Sequence, residues 1–247
     1  MTILPSFLDR RRSRKRARSL LESEHSFAGL TNQEVFEKIY ADGSWGTDAD
    51  GRPWSGSGSH TPHIVQAYVD AVVRFLDRLD TRPTVVDLGC GDFNIGSKIA
   101  PVADRYIACD IAPGIINRNA RLARHSSVEF RTLVLVTDDL PAGDVALVRQ
   151  VLQHLRNDDI RTFIERIGRT RPYRYLVVTE HIPAAKRFPA NVDIPSGSWT
   201  RVMFGSGVDL EQPPFNLRCL SRETLCEVRE PAYDRDAIIR TVGYRLR

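Results

Sequence analysis

Between residues 63 and 180 helix and strand signals alternate, and nothing else in the chain restricts the fold as strongly. Residues 63–79, HIVQAYVDAVVRFLDRL, carry Ile64, Val65, Tyr68, Val72, Phe75, Leu76 and Leu79 at helical spacing. Pro83 then opens a strand over 85–88. A second strand is expected over 106–109, running into Asp110, followed by a helix over 114–124. Further strands are expected over 128–136, 145–148 and 175–179, with a helix over 158–169 that Asn157 would cap. Repeated βα units imply a parallel sheet with helices on both faces. Strand-like stretches over 225–228 and 238–246 fit a closing antiparallel hairpin.

Around this core the chain divides by composition. Residues 1–26 form a basic tail. Its stretch RRRSRKRAR, residues 10–18, carries seven positive charges and no acid, so the net +4 of the chain becomes −3 without it. The remainder is therefore mildly acidic, and the basic character belongs to the tail. An anionic surface, nucleic acid or a membrane edge would each suit such a run, and so would a merely solvated, partly helical extension. Residues 27–247 are expected to form one domain: a cap and loop (27–62), a core (63–180), a loop (181–216) and closing strands (217–247). Thr31 and Glu34 make a capping box ahead of Val35, Phe36 and Ile39. In residues 42–62 Gly, Ser and Asp predominate, yet Trp45 and Trp54 sit among them. A plain linker has no use for such apolar area, so this is either a loop folded over a ligand or a packed structural loop. Residues 181–216 hold five prolines, punctuated by Trp199, Met203, Phe204 and Phe215. A loop of that length in a compact domain is usually functional or disordered, and the interspersed aromatic residues favour a functional one.

The cysteines Cys90, Cys109, Cys219 and Cys226 form no CxxC pair. They point to reduced thiols in a cytoplasmic protein, away from a disulfide framework or a zinc ribbon. No apolar run approaches membrane-spanning length, and the N-terminus lacks the charge order of a secretory signal.

The first strand runs into VVDLGCGDFN, residues 85–94, where two glycines one residue apart let a nucleotide approach the backbone. A dinucleotide site needs a third glycine where Asn94 stands. A phosphate loop needs Lys before Ser, whereas Ser97 precedes Lys98 here. What remains is Asp-x-Gly-x-Gly after a strand, with Asp110 about 20 residues on, where a ribose-binding acid is expected.

Asp87-Leu88-Gly89-Cys90-Gly91 resembles the first motif of class I S-adenosylmethionine-dependent methyltransferases, and Asp110 matches the acid after their second strand. Residues 145–155, VALVRQVLQHL, look like that family's fourth strand and following turn. The resemblance covers roughly residues 63–180. It implies a Rossmann-like, seven-stranded, mostly parallel sheet with helices on both faces and a C-terminal antiparallel hairpin. It also implies S-adenosylmethionine as cofactor, held by Asp87, Gly89, Cys90, Gly91, Asp110, Ile111 and Arg149 and covered by Ser57, Gly58 and Ser59. A sulfonium nucleoside carries no phosphate, so a carboxylate and a close backbone suffice. The acid that the family often places after its third strand has no match in Leu133-Val134-Leu135-Val136; acids arrive only at Asp138 and Asp139. Ser44-Trp45-Gly46, residues 55–59 (SGSGS), Gly91-Asp92-Phe93-Asn94, Asn191-Val192-Asp193-Ile194 and Pro214-Phe215-Asn216-Leu217 resemble a narrower subgroup. That subgroup is similar to actinobacterial enzymes that O-methylate mannose-containing polysaccharide precursors.

Methyl transfer to a hydroxyl needs alignment and a proton acceptor at the carboxyl ends of the strands. His154 is the first candidate base, with a structural role after strand four as its alternative. Glu180 and His181, ending strand five, are further catalytic candidates. Trp45, Gln153, Asp193 and Trp199 are candidates for holding a sugar or other polar small molecule. Glu180, His181 and Asp193 are a candidate Mg²⁺ or Mn²⁺ set, although Arg149 stands where some metal-dependent O-methyltransferases carry an acid. DNA is not expected: Arg149-Gln150-Val151-Leu152 replaces the [DN]PP[YF] motif of adenine methylation, and no cysteine is placed for cytosine attack. The competing readings are an RNA methyltransferase anchored by the tail, separable by deleting residues 1–20, and a cofactor-binding protein without catalysis. The oligomeric state is left open.

Overall fold

The computed structural model describes residues 27–122, 127–233 and 235–247, so the tail at 1–26 lies outside the described residues. In chain order the helices are α1 (Asn32–Ala41), α2 (Pro62–Asp77), the single turn α3 (Gly96–Ile99), α4 (Pro113–Leu122) and α5 (Asn157–Thr170). The strands are β1 (Thr84–Leu88), β2 (Arg105–Asp110), β3 (Val128–Thr132), β4 (Val145–Arg149), β5 (Tyr175–Pro183), β6 (Ser221–Arg229) and β7 (Ala237–Arg245). They form one sheet in the order β3-β2-β1-β4-β5-β7-β6. The first five strands pair in parallel, and β7 pairs antiparallel with both β5 and β6.

Strand alternation sends the core to two faces. Val86, Leu88, Ala146, Val148, Leu176 and Val178 pack against α1 and against Ile160, Phe163, Ile164 and Ile167 of α5. Val85, Leu147 and Val177 pack against Val65, Tyr68, Val72, Phe75 and Leu76 of α2. Strands buried on both faces are apolar nearly throughout, which is why their sequence shows runs instead of alternation. Helix α1 begins as expected: Thr31 Oγ1 accepts from Glu34 N at 3.3 Å, and Thr31 N donates to Glu34 Oε2 at 2.8 Å.

Three boundaries differ from the sequence expectation for physical reasons. Strand β3 stops at Thr132, not 136, because Val134 N turns to donate to Asp138 Oδ2 at 2.9 Å and frees Leu133 and Leu135 to pack inward. Strand β5 extends to Pro183 because β7 pairs with it over all nine residues. Asn157 is the first residue of α5 and not its cap: Arg156 holds the cap position, and Asp193 Oδ1 accepts from Asn157 N at 2.8 Å.

Candidate active site

The strand order reverses between β1 and β4, and in open α/β sheets ligands bind outside the carboxyl ends at such a switch point. A cavity of about 350 Å³ lies there, within the range of small-molecule sites. Gly89 and Gly91 have φ of +95° and +54°, a region that favours glycine. A Cβ on Gly89 would fall 2.2 Å from Val151 Cγ2, so glycine there is required twice over. The turn is locked to β2: Gly89 N and Cys90 N both donate to Cys109 O at 2.8 Å. Asp110 fixes its far side, accepting from Gly91 N through Oδ2 and from Ala112 N through Oδ1, each at 3.0 Å. Each oxygen of a carboxylate has a second acceptor position, and Asp110 lines the cavity. It is therefore equipped to take two vicinal hydroxyls. Burial raises its pKa to about 6, the backbone donors pulling the other way. Asp87 also lines the cavity but accepts from Tyr106 Oη at 2.8 Å, and burial raises it to about 7. Ile111, Leu133, Leu135 and Val136 supply an apolar wall beyond Asp110.

The Gly/Ser stretch is an ordered strap over this end. Ser57–Ser59 form a single 3₁₀ turn, and Ser55 to Ser59 all line the cavity. Arg149 holds the strap down, donating to Ser59 Oγ at 3.1 Å and Gly58 O at 2.5 Å, with its guanidinium 4.9 Å from the Tyr68 ring centroid. Arg149 Nε has no partner. A buried cation with a spare donor beside the glycine turn suits the carboxylate of an amino acid.

The other end of the cavity is built around His154. Gln153 Oε1 accepts from His181 N at 3.0 Å, which turns its amide nitrogen toward His154 Nε2 at 3.2 Å. His154 Nδ1 lies 3.0 Å from Trp199 O. A carbonyl only accepts, so Nδ1 carries the hydrogen, and the one lone pair of Nε2 accepts from the Gln153 amide. Burial, and secondarily the charge of Arg201, push His154 down to about 4, so the ring is neutral at pH 7. Trp45 packs beside it with centroids 5.1 Å apart, and both line the cavity. His181 lines it too, its Nε2 donating to Glu230 O at 2.6 Å. Burial lowers the His181 pKa as well.

Three expected residues, Glu180, Asp193 and Trp199, take other places. Glu180 and His181 are neighbours on β5 and face opposite sides of the sheet. Glu180 lines a separate cavity of about 80 Å³ with Val178 and Ile182, so its catalytic assignment is withdrawn. Its carboxyl group is buried beside the backbone amides of Gln153 and Leu152, and burial raises it to about 8 against the pull of Arg201 and of those amides. Asp193 Oδ1 accepts from Asn157 N and Ile194 N, a helix-capping role outside the cavity. Trp199 contributes its carbonyl to His154, while its side chain stays out of the cavity. Glu180, His181 and Asp193 thus do not converge, and no metal-holding group of three His, Cys, Asp or Glu occurs among the described residues. Gln153 and the assigned cofactor residues Cys90, Ile111 and Arg149 do line the cavity.

The structure adds residues that sequence reasoning passed over. Glu230, Pro231, Ala232 and Tyr233 from the β6–β7 connection line the cavity, as do Ser198 and Thr200. Arg201 is fully buried and donates to Leu152 O, Leu155 O, Val192 O and Asn157 Oδ1 at 2.7–3.0 Å, tying the 181–216 loop to the turn that bears His154. No local pattern marks it, since the carbonyls it grips at Leu152 and Leu155 are 49 and 46 residues away.

Residues 86–170 match the family model described as a methyltransferase domain. Solved structures share the fold. The N-methyltransferase NodS from Bradyrhizobium japonicum WM9, in complex with S-adenosyl-L-homocysteine, is 17% identical with a TM-score of 0.59, over 83% of this chain and 98% of that one. The N-terminal domain of EvdMO1, in the presence of S-adenosylhomocysteine and D-fucose, is 12% identical with a TM-score of 0.52, over 89% and 99%. Magnesium protoporphyrin IX methyltransferase from Synechocystis PCC 6803, with bound S-adenosylmethionine, is 15% identical with a TM-score of 0.52, over 88% and 99%. No curated protein matches in sequence. The domain match supports a class I S-adenosylmethionine-dependent methyltransferase, and the solved structures show the shared fold. No helix among the described residues is long and apolar enough to cross a membrane.

Proposed function

We propose that this protein transfers the methyl group of S-adenosylmethionine to a hydroxyl of a sugar or another polar small molecule. The observation that carries this reading is the locked tautomer of His154, which makes Nε2 an acceptor, held by the Gln153 amide in the empty site, in the same cavity as Asp110 and the glycine turn. When bound, the cofactor supplies an electrophilic methyl on a sulfonium. Asp110 would take the ribose hydroxyls, Arg149 the carboxylate, and Leu133, Leu135 and Val136 the base. Strap residues Ser57–Ser59 would exclude water. As the new carbon–oxygen bond forms, the acceptor hydroxyl loses its proton, and Nε2 of His154 would take it once the acceptor hydroxyl replaces the Gln153 amide at that nitrogen. The Trp199 carbonyl then stabilises the imidazolium through Nδ1–H. Trp45, Gln153 and His181 would line the acceptor, an aromatic face beside polar groups being a surface that suits a pyranose ring. One neighbour of the same fold is described with both S-adenosylhomocysteine and D-fucose, which supports a sugar-sized acceptor here.

In this reading residues 27–247 are one catalytic domain, and the four free cysteines fit a reducing cytoplasm. The test is a panel of pyranosides, polyols and amines incubated with S-adenosylmethionine and examined by mass spectrometry for the gain of one methyl. Methylation at a hydroxyl supports the reading. Methylation of amines alone overturns the oxygen assignment, and no S-adenosylhomocysteine with any acceptor overturns catalysis.

A further inference from the structure

Asp92 follows the glycine turn and does not line the cavity, yet the strap converges on it. Its Oδ2 accepts from Ser55 N at 2.9 Å and from His60 Nε2 at 2.6 Å. Its own backbone N donates to Ser55 Oγ at 2.7 Å. Ser55 and His60 are the two ends of the strap, so one carboxylate closes a loop whose middle, Gly56 to Ser59, forms the roof of the cofactor end. Asp92 Oδ1 meanwhile accepts from Asn94 N at 3.1 Å, and Asn94 Nδ2 donates to Ser59 O at 2.6 Å, which adds a third point of attachment. Trp54 stacks on the outside of His60 with centroids 4.3 Å apart and planes within 13°. The fit beneath is tight: a Cβ on Gly91 would meet Ser55 Oγ at 2.1 Å, and one on Gly58 would meet Gln150 Oε1 at 2.2 Å. Gly56 at φ +84° sits just inside the first attachment, where the chain needs a residue free to change direction.

We propose that Asp92 is a positioning residue that latches residues 55–60 over the cofactor, so that cofactor exchange requires this one carboxylate to release both ends of the strap. The inference rests on the cofactor reading but not on the identity of the acceptor. Neither Asp92 nor His60 lines the cavity, and His60→Ala keeps the charge that Asp92 sets near Asp110, so the effect of that variant on cofactor exchange passes through the strap. The buried contacts of the sheet are untouched by either change. His60 is about a quarter exposed at its side chain, and His60→Ala breaks the latch without altering the glycine turn.

Two measurements on Asp92→Ala and His60→Ala decide the matter. Amide hydrogen exchange over residues 56–59 of the empty protein should quicken on the order of tenfold or more in both variants, as expected when a charge-assisted hydrogen bond is lost. Stopped-flow tryptophan fluorescence with S-adenosylhomocysteine should show dissociation faster by a similar factor, larger for Asp92→Ala than for His60→Ala. Wild-type exchange over 56–59 in a folded variant overturns the latch. Faster amide exchange with an unchanged dissociation rate overturns its control of the cofactor. If wild-type protein fails to bind S-adenosylhomocysteine, the cofactor reading falls, while the amide exchange still decides whether Asp92 holds the strap.

Discussion

Replacing Asp110 by Ala should abolish tight cofactor binding, and the size of the loss follows from the geometry. Both carboxylate oxygens are anchored by backbone donors at 3.0 Å, so the group is held in one orientation where it lines the cavity. Two hydrogen bonds from ribose hydroxyls to a charged acceptor contribute about 1.5–3 kcal/mol each, or about 3–6 kcal/mol together. At about 1.4 kcal/mol per decade, the dissociation constant for S-adenosylhomocysteine should rise by about 10²- to 10⁴-fold. The same substitution strands Gly91 N and Ala112 N, so the melting temperature should fall as well. Titration calorimetry is therefore run below the variant's own transition, with circular dichroism confirming a folded protein. The pH dependence provides a second handle. The folded pKa is raised from 3.8 to about 6, so the empty site holds the charged form only above about pH 6. Wild-type affinity should fall toward tenfold per unit as pH drops below that value, and Asp110→Asn should lack this slope. An affinity within about threefold of wild type in a folded Asp110→Ala protein would refute the assignment.

His154→Ala should reduce turnover by about 10²- to 10⁴-fold while leaving S-adenosylhomocysteine affinity unchanged, measured by initial rates and calorimetry on one preparation. A wild-type rate would remove His154 from the chemistry. Glu180→Gln concerns stability instead. Its folded pKa is raised from 4.5 to about 8, so the stabilising neutral form is fully present below 4.5 and lost as pH rises through 8. Wild type should forfeit on the order of 4–5 kcal/mol across that window relative to the variant. Urea unfolding at pH 5 and pH 8 checks it: equal pH dependence in both proteins would contradict the burial argument, and a collapse of turnover at constant cofactor affinity would restore Glu180 to the site.

Asp87, Gly89, Gly91 and Asp110 could be placed at the cavity from the sequence because the features that mark them are local. A positive φ, a strand end and a carboxylate one strand over are written within 24 residues. His154 was reachable for the same reason, lying in the turn directly after β4. Glu180 and His181 are expected together at the end of strand five, but β7 carries that strand on to Pro183, and strand alternation sends the two side chains to opposite faces. The sequence leaves the stretch over 55–60 as either a loop folded over a ligand or a packed structural loop, since SGSGS has no propensity of its own and is ordered by Asp92, Asn94 and Arg149 from distant elements.

By itself the sequence determined the alternation of helices and strands, hence a parallel sheet with two buried faces, and the glycine turn with its acid. Periodicity and backbone sterics act between near neighbours and need no partner to be legible. Only the tertiary structure decided which polar groups share a cavity. It set Glu180 behind the sheet, gave Asp193 to a helix end, and spent Arg201 on carbonyls nearly 50 residues away. It also made the tautomer of His154 depend on a carbonyl from the 181–216 loop. Burial and hydrogen bonding at those positions are properties of packed elements, and they exist only once the strands are in register.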